Sequence, residues 1–199
     1  RESGFGFWSE QAGTAADSNL IQNNFVTKAG WSLYIYNTGT GVMCKGNIIR
    51  GNQFGSETDS LVATGIQVNH GENTLIENNI IQNLRVTFPG VGKGQVGIAT
   101  VFGSGNIIRN NVIKNLRGTA GSMACGIFLL GLSGIYGNDN YAYNNMIYDI
   151  NSTTIQSDSR VAGIQIHYQN NPKIYYNTVY LSGTGANQLG SPALYIYSN

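Results

Sequence analysis

Acidic side chains are the groups that could bind a divalent cation or perform acid–base chemistry on a glycosidic bond, and the chain has only 10. Glu57 and Asp59 share the turn Gly55–Ser60, and Glu72 lies in a later turn. Calcium requires several oxygen ligands, and glycosidic catalysis requires two carboxyl groups about 5–10 Å apart. These turns lack a dense ligand spacing. The sequence therefore predicts solvated carboxylates, no catalytic residue, no metal site and no cofactor.

Histidine and cysteine are the other candidate ligands or nucleophiles. His70 and His167 fall three repeats apart in the repeat alignment, which predicts a separation of about 14 Å at the usual strand spacing and excludes a shared metal ion. Cys44 and Cys125 are also about three repeats apart, beyond the roughly 7 Å limit of a disulfide. We therefore expect two free thiols, with Cys125 buried at the start of a strand.

Composition narrows the class of protein further. The 199 residues carry a formal net charge of +1, so the chain lacks the basic surface that a nucleic acid requires. No apolar stretch approaches the roughly 18 residues of a membrane-spanning helix. Nucleic acid binding and membrane insertion are therefore not expected. We expect residues 1–199 to form a single domain, and Arg1 in place of an initiator methionine suggests a segment of a larger protein.

An asparagine-rich patch returns six times along the chain. The patches end at Asn24, Asn52, Asn79, Asn111, Asn145 and Asn177, at spacings of 28, 27, 32, 34 and 32 residues. A second motif, a small residue followed by aliphatic residues at alternate positions, lies between the patches, as in Gly97–Thr100 and Gly163–Ile166. Each repeat thus contains two or three short segments with strand periodicity.

Alignment of the repeats produces columns of apolar residues. One column contains Phe5, Leu33, Ile66, Ile98, Ile127, Ile164 and Leu194, and the column two positions later contains Phe7, Ile35, Val68, Thr100, Leu129, Ile166 and Ile196. Two others contain Ile21, Ile49, Ile76, Ile108, Ala142 and Ile174, and Val26, Phe54, Ile81, Ile113, Ile147 and Val179. A repeat this short cannot bury its apolar face alone, so neighbouring repeats must stack. The sequence predicts an all-β parallel β-solenoid of about six coils of 27–34 residues.

The six patch-ending asparagines are predicted to form a ladder. Asparagine tolerates a left-handed backbone at a tight corner, and its amide can bond the amide one coil away. In an outward column, Glu77 lies between Arg50 and Arg109 of the adjacent coils, which predicts a solvated salt-bridge ladder.

The run from Gly97 to Leu116 combines both motifs and resembles the repeats of the right-handed parallel β-helices of the pectin-lyase-like superfamily. The resemblance covers almost the whole chain and implies a single-stranded right-handed β-helix. Enzymes of this superfamily generally use carboxylates on the outer face of the first strand. The longer coils, with tyrosine-rich and serine- or glycine-rich turns, look more like large secreted bacterial surface proteins.

The outward positions of the first strand contain no carboxylate in this sequence. They contain aromatic residues instead, and such platforms flanked by amides suit sugar rings. The predicted carbohydrate-binding residues are Trp8, Tyr34, Tyr36, His167, Tyr195 and Tyr197. Trp8 is expected to stack on Tyr36. The alternative is that these rings only stabilise the sheet as cross-strand pairs.

A central outward patch of the same strand is apolar. It contains Ala99, Val101, Phe128 and Leu130, and we expect the turn 85–95, the turn 117–124 or a partner to cover it.

Two functional hypotheses follow. The first is a non-catalytic segment of a secreted or cell-surface bacterial protein, acting as a spacer, adhesin or polysaccharide contact. The final segment, Ala193–Ser198, has strand periodicity and predicts a bare edge that associates with further β-helix coils. The alternative is a polysaccharide lyase or glycoside hydrolase of this superfamily whose catalytic groups lie outside the segment.

Overall fold

The chain folds as three parallel sheets that run along one axis. The computed structural model describes residues 5–11, 15–37, 42–85, 94–118, 123–131, 137–152, 161–181 and 191–197. Within these ranges there is no helix, and each circuit of the chain adds one strand to each sheet. The predicted all-β parallel solenoid is confirmed.

The strands of each sheet follow one another at intervals of one coil. The first sheet contains seven strands: Phe5–Gln11, Trp31–Asn37, Thr64–Asn69, Gln95–Val101, Ala124–Leu130, Val161–His167 and Leu194–Tyr197. The second contains six: Leu20–Gln22, Ile48–Arg50, Leu75–Glu77, Ile107–Arg109, Tyr141–Tyr143 and Lys173–Tyr175. The third contains six: Phe25–Val26, Gln53–Phe54, Ile80–Arg85, Val112–Gly118, Met146–Ser152 and Thr178–Tyr180. Two short pairs, Cys44–Lys45 with Gly71–Glu72 and Gly137–Asn138 with Gln169–Asn170, extend the corners.

The apolar columns form the interior, as the repeat alignment predicts. In the second sheet Ile76 pairs in register with Ile49 and Ile108, and in the third sheet Ile81 pairs with Phe54 and Ile113. All six of these side chains are fully buried. Like residues therefore stack directly over like residues along the axis.

The first coil differs from the predicted register by two residues. Phe7, rather than Phe5, pairs with Leu33, and Trp8 pairs with Tyr34. The dipeptide Gly-Phe occurs twice in succession, and the structure uses the second occurrence, which places Ser9 opposite Ile35 in the second apolar column. A Cβ added to Gly6 would lie 2.6 Å from Val26 Cγ1, so this position accepts only a very small residue.

The corner between the second and third sheets uses left-handed backbone one residue before each ladder asparagine. The positive-φ residues there are Asn23, Gly51, Asn78, Asn110, Asn144 and Tyr176. The prediction that the ladder asparagine itself takes this geometry is wrong. The preceding residue turns the chain, and the turn directs the following asparagine side chain into the stack.

The asparagine ladder itself is confirmed, and every amide in its middle is saturated. The backbone N–H and the Nδ2–H of Asn79 donate to Oδ1 of Asn111, both at 3.0 Å. Nδ2 of Asn111 donates to Oδ1 of Asn145 in the following coil and to the carbonyl of Ile76 in the preceding one. The same pattern links Asn24, Asn52, Asn79, Asn111, Asn145 and Asn177.

A second ladder, which the sequence analysis did not identify, follows the corner before the second sheet. Asn19 donates to Oδ1 of Asn47, and Asn106 donates to Oδ1 of Asn140. Thr74 continues it on one side, because its backbone N–H donates to Oδ1 of Asn106 at 3.0 Å, but its buried Oγ1 has no hydrogen-bond partner, so the side-chain ladder is interrupted there. The sequence does contain a signal for this ladder, because four of the six asparagine-rich patches also begin with an asparagine.

We predict that Ile108→Asp prevents folding or lowers the free energy of unfolding by more than about 4 kcal/mol, because a carboxylate would lie in the apolar stack. Ile107→Asp is the matched control, since Ile107 is half-buried in the same strand and should cost about 1 kcal/mol. Urea denaturation followed by circular dichroism measures both. Equal losses would contradict the inward assignment of Ile108.

We predict that Asn111→Ala lowers the free energy of unfolding by at least about 3 kcal/mol, because it leaves buried donors of Asn79 and the Ile76 carbonyl unsatisfied. Asn24→Ala, at the partly exposed end of the ladder, should cost less than about 1 kcal/mol. The two losses are compared through the urea midpoints of the variants, provided that the free energy of unfolding depends on urea concentration with the same slope in both. Similar losses at the two positions would show that ladder saturation does not stabilise the stack.

Candidate functional site

The outer face of the first sheet presents two parallel columns of side chains. One contains Trp8, Tyr34, Gln67, Ala99, Phe128, Gln165 and Tyr195. The other contains Glu10, Tyr36, Asn69, Val101, Leu130, His167 and Tyr197. The prediction that the outward positions contain no carboxylate is therefore wrong, because the shifted first-coil register pairs Glu10 with Tyr36. The strand register fixes these columns, because a parallel sheet places residues of adjacent coils side by side.

Three predicted site residues meet at the N-terminal end of this face, and we call them the first platform: Trp8, Tyr34 and Tyr36. The ring centroids of Trp8 and Tyr34 are 4.9 Å apart, and those of Tyr34 and Tyr36 are 5.7 Å apart. Trp8 thus packs on Tyr34, and the predicted stacking on Tyr36 is wrong because of the shifted first-coil register. Trp31, which the sequence analysis did not include, lies 6.4 Å from Tyr34.

The other three predicted residues meet at the C-terminal end and form the second platform: His167, Tyr195 and Tyr197. The His167 ring lies 5.9 Å from Tyr195 and 5.2 Å from Tyr197. Phe128, one coil nearer the centre, meets His167 edge-on at 5.1 Å. The six predicted residues therefore occupy two platforms on one face.

A groove of about 430 Å³ lies beside the first platform and reaches the centre of the face. Trp8, Trp31 and Tyr34 line one part of it, and Phe128 and Leu130 line another. The predicted apolar patch thus forms part of this groove: Ala99 is buried, and Val101, Phe128 and Leu130 are partly exposed. The turns predicted to cover it fall mainly on residues 86–93 and 119–122, which lie outside the described ranges.

Amide side chains supply the polar groups of the face. Gln67 Nε2 donates to Asn69 Oδ1 at 3.0 Å, and Gln67 also lines the groove. Gln165 Nε2 lies 2.6 Å from His167 Nε2, and its buried Oε1 has no hydrogen-bond partner. Glu10 is the one acidic residue at the register positions of the two columns, and these positions contain no lysine or arginine.

Six described carboxylates lie away from this face and pair with cations: Glu57, Asp59, Glu72, Glu77, Asp139 and Asp149. Glu77 is buried and pairs with Arg109, whose NH2 lies 2.7 Å from Oε2. The predicted solvated ladder is wrong in two respects: Glu77 is buried, and the ladder extends to only one arginine because Arg50 donates instead to Oε1 of Gln22. Other pairs are Lys28 with Asp59, Lys45 with Glu72, and Lys114 with Glu57. Among the described residues, no group of three or more histidine, cysteine or acidic side chains could hold a metal ion.

Both cysteines are free and buried. Burial raises the pKa of both thiols, and Cys125 Sγ donates to the carbonyl of Ile127. A high pKa suppresses the nucleophilic thiolate. Cys44 and Cys125 therefore pack as small apolar residues.

Tyrosines also pair on the outer faces of the other two sheets. Tyr143 and Tyr175 stack with centroids 4.9 Å apart and an interplanar angle of 6°. Tyr148 and Tyr180 occupy paired positions in the third sheet. Arg109 NH1 donates to the Tyr143 hydroxyl, so the first of these pairs continues the Glu77–Arg109 contact.

His70 lies at the corner that follows the first sheet, between the rings of Tyr36 and Phe102 at 6.3 and 5.4 Å. Burial lowers the pKa of its imidazole below the usual 6.5. The folded state therefore favours neutral His70.

We predict that the contribution of neutral His70 to stability is present above pH 6.5 and is lost as the pH falls toward the lower folded-state pKa, because the unfolded state binds the proton first. His70→Phe should reduce the loss of stability between about pH 7.5 and 5.5. Phe102 occupies the equivalent corner of the next coil with a similar φ, so phenylalanine fits there. Urea titrations at both pH values measure the difference, and identical losses in the two proteins would contradict the prediction.

No described helix is long and apolar enough to cross a membrane. Searches of curated proteins and of solved structures return no significant match. A family model for the right-handed β-helix region matches residues 6–199, which is nearly the whole chain. The match agrees with the parallel sheets, the stacked interior and the predicted hand, and the chain belongs to the right-handed β-helix family.

Proposed function

We propose that this chain is a non-catalytic β-helix segment of a secreted or cell-surface bacterial protein, and that the outer face of its first sheet contacts carbohydrate. The observation that carries the proposal is the pair of aromatic platforms on that face. Their six residues are Trp8, Tyr34, Tyr36, His167, Tyr195 and Tyr197.

Aromatic rings beside amides match the chemistry of a sugar. A pyranose ring offers an apolar face of C–H groups to an aromatic ring and presents hydroxyl groups at its edge. Trp8 remains 46 % exposed although it packs on Tyr34, so part of the indole is available for contact. Gln67 lies half-buried in the adjoining coil and lines the groove, where its amide can exchange hydrogen bonds with hydroxyl groups. Asn69 is buried beside it and accepts a hydrogen bond from Gln67.

The non-catalytic part of the proposal is supported by the positions of the carboxylates. Glu77 is bound to Arg109 on the second sheet, and the two outward columns of the first sheet contain a single acidic residue, Glu10. A glycosidase requires a pair of carboxyl groups about 5–10 Å apart at the bound sugar. The secreted or cell-surface location rests on the resemblance to bacterial surface β-helices.

The C-terminal edge supports association with further coils. Leu194 and Ile196 belong to the inward columns, yet they are 45 % and 59 % exposed, whereas Ile164 and Ile166 in the preceding strand are 2 % and 1 % exposed. A strand added to this edge would bury both side chains and pair the open backbone groups. We therefore include end-to-end stacking with β-helix coils among the proposed interactions.

The carbohydrate contact is tested on a glycan array followed by titration of the bound glycan. We expect Tyr36→Ala and Tyr197→Ala each to weaken binding at least about tenfold, the equivalent of 1.4 kcal/mol, because each removes a ring from a platform. Tyr180→Ala is the matched control: Tyr180 is 66 % exposed on the third sheet and its loss should leave binding unchanged.

Two results would contradict the proposal. Failure of the unmodified chain to bind any glycan would leave the rings as cross-strand packing and the chain as a spacer. Depolymerisation of pectate or alginate by this segment alone would favour the lyase or hydrolase alternative.

A further inference from the structure

The charged groups present on the candidate face indicate whether its ligand is an acidic or a neutral polysaccharide. An acidic glycan carries a carboxylate on each uronate unit, and proteins bind such groups with arginine, lysine or a cation. The two columns contain no arginine or lysine, and their one acidic residue, Glu10, has the same charge sign as a uronate. The half-buried amide of Gln67 supplies a polar contact at the groove, whereas the amides of Asn69 and Gln165 are buried. Desolvating an anionic chain on this face would therefore be uncompensated.

The two platforms are connected along the axis. Trp8 and Tyr34 of the first platform line the central groove together with Phe128. Phe128 in turn contacts His167 of the second platform at 5.1 Å. An apolar and aromatic path therefore joins both ends of the face.

The length of this path indicates how much of a ligand it can hold. Trp8 and Tyr195 occupy the same column with six coil intervals between them. At about 4.8 Å per interval, the two residues are separated by about 29 Å. This distance exceeds a mono- or disaccharide and matches an extended oligosaccharide lying parallel to the solenoid axis.

We propose that the ligand of this face is an uncharged, extended polysaccharide that lies along the axis and contacts both platforms through the central groove. This inference rests on the proposed carbohydrate contact and adds the charge class, the direction and the length of the bound glycan. The aromatic path supplies contacts to the C–H faces of successive rings, and the amides accept and donate hydrogen bonds at their edges.

The test is calorimetric titration of the unmodified chain with two series of oligosaccharides, from disaccharide to octasaccharide. One series is neutral, β-1,4-linked gluco- and manno-oligosaccharides, and the other is anionic, oligogalacturonates and alginate oligomers. We expect the neutral octasaccharide of at least one type to bind at least about tenfold more tightly than its disaccharide and than any anionic oligomer. Its affinity should change less than about twofold between low and high salt.

A charge variant tests the same inference from the protein side. Gln67→Lys introduces a cation at the groove and should strengthen binding of oligogalacturonate at least about threefold at low salt. Gln53→Lys makes the same change on the outer face of the third sheet, where Gln53 is also half-buried, and should leave that affinity unchanged. Equal gains in the two variants would show that the glycan does not lie over the groove and would overturn the proposal.

The remaining outcomes separate this inference from the proposed function. Tighter, salt-sensitive binding of an anionic series would overturn the uncharged ligand while leaving a carbohydrate contact in place. Neutral binding with no gain from disaccharide to octasaccharide would overturn the extended mode across both platforms. Failure of both series and of every glycan on the array to bind would overturn the proposed carbohydrate contact itself.

Discussion

Hydrogen-bonded stacking of equivalent residues at one strand spacing is the constraint on which the structure depends. The backbone N–H and C=O groups of each coil must form hydrogen bonds with the coils on either side. The strands within one coil are too short and too far apart in the sequence to pair with one another. The saturated amides of Asn79, Asn111 and Asn145 impose the same requirement at the corner, since each can bond fully only between two similar residues. A coil that departs from register would therefore lose backbone, amide and aliphatic contacts together.

The same constraint creates the candidate site. A register that stacks Ile66, Ile98 and Ile127 inside also places Gln67, Ala99 and Phe128 in one outward column. Outward residues are free to differ between coils because they do not contribute to the interior. Aromatic groups have accumulated on the first sheet at both ends, and ion pairs such as Glu77–Arg109 lie on the second. Tyrosines also pair on the other two sheets, but the described ion pairs all lie off the first sheet, which supports a first-sheet surface that recognises apolar and hydroxyl groups.

Most of the interior could be predicted because repetition supplies several observations of each position. Leu33, Ile66, Ile98, Ile127 and Ile164 fall in one column, and a residue repeated at the same place in each coil must meet the same environment. The first coil departs from this rule, because the residues at positions 4–7 fit the whole motif, whereas the register that the structure adopts places Ser9 opposite Ile35. In the register that the structure adopts, Trp8 pairs with Tyr34 instead of Tyr36, and Gly6 lies where an added Cβ would clash with Ser32 and Val26.

The sequence by itself determined the fold class, the inward columns, the patch-ending asparagine ladder and the face on which the aromatic residues lie, because each follows from a period that the chain repeats. Only the tertiary structure decided how individual outward side chains pair. Arg50 bonds Gln22 although Glu77 is equally near in the alignment, and Phe128 connects the groove to His167. The physical reason is that the period fixes the position of each backbone unit, whereas the direction of a long or aromatic side chain depends on which neighbour in the next coil packs or bonds best.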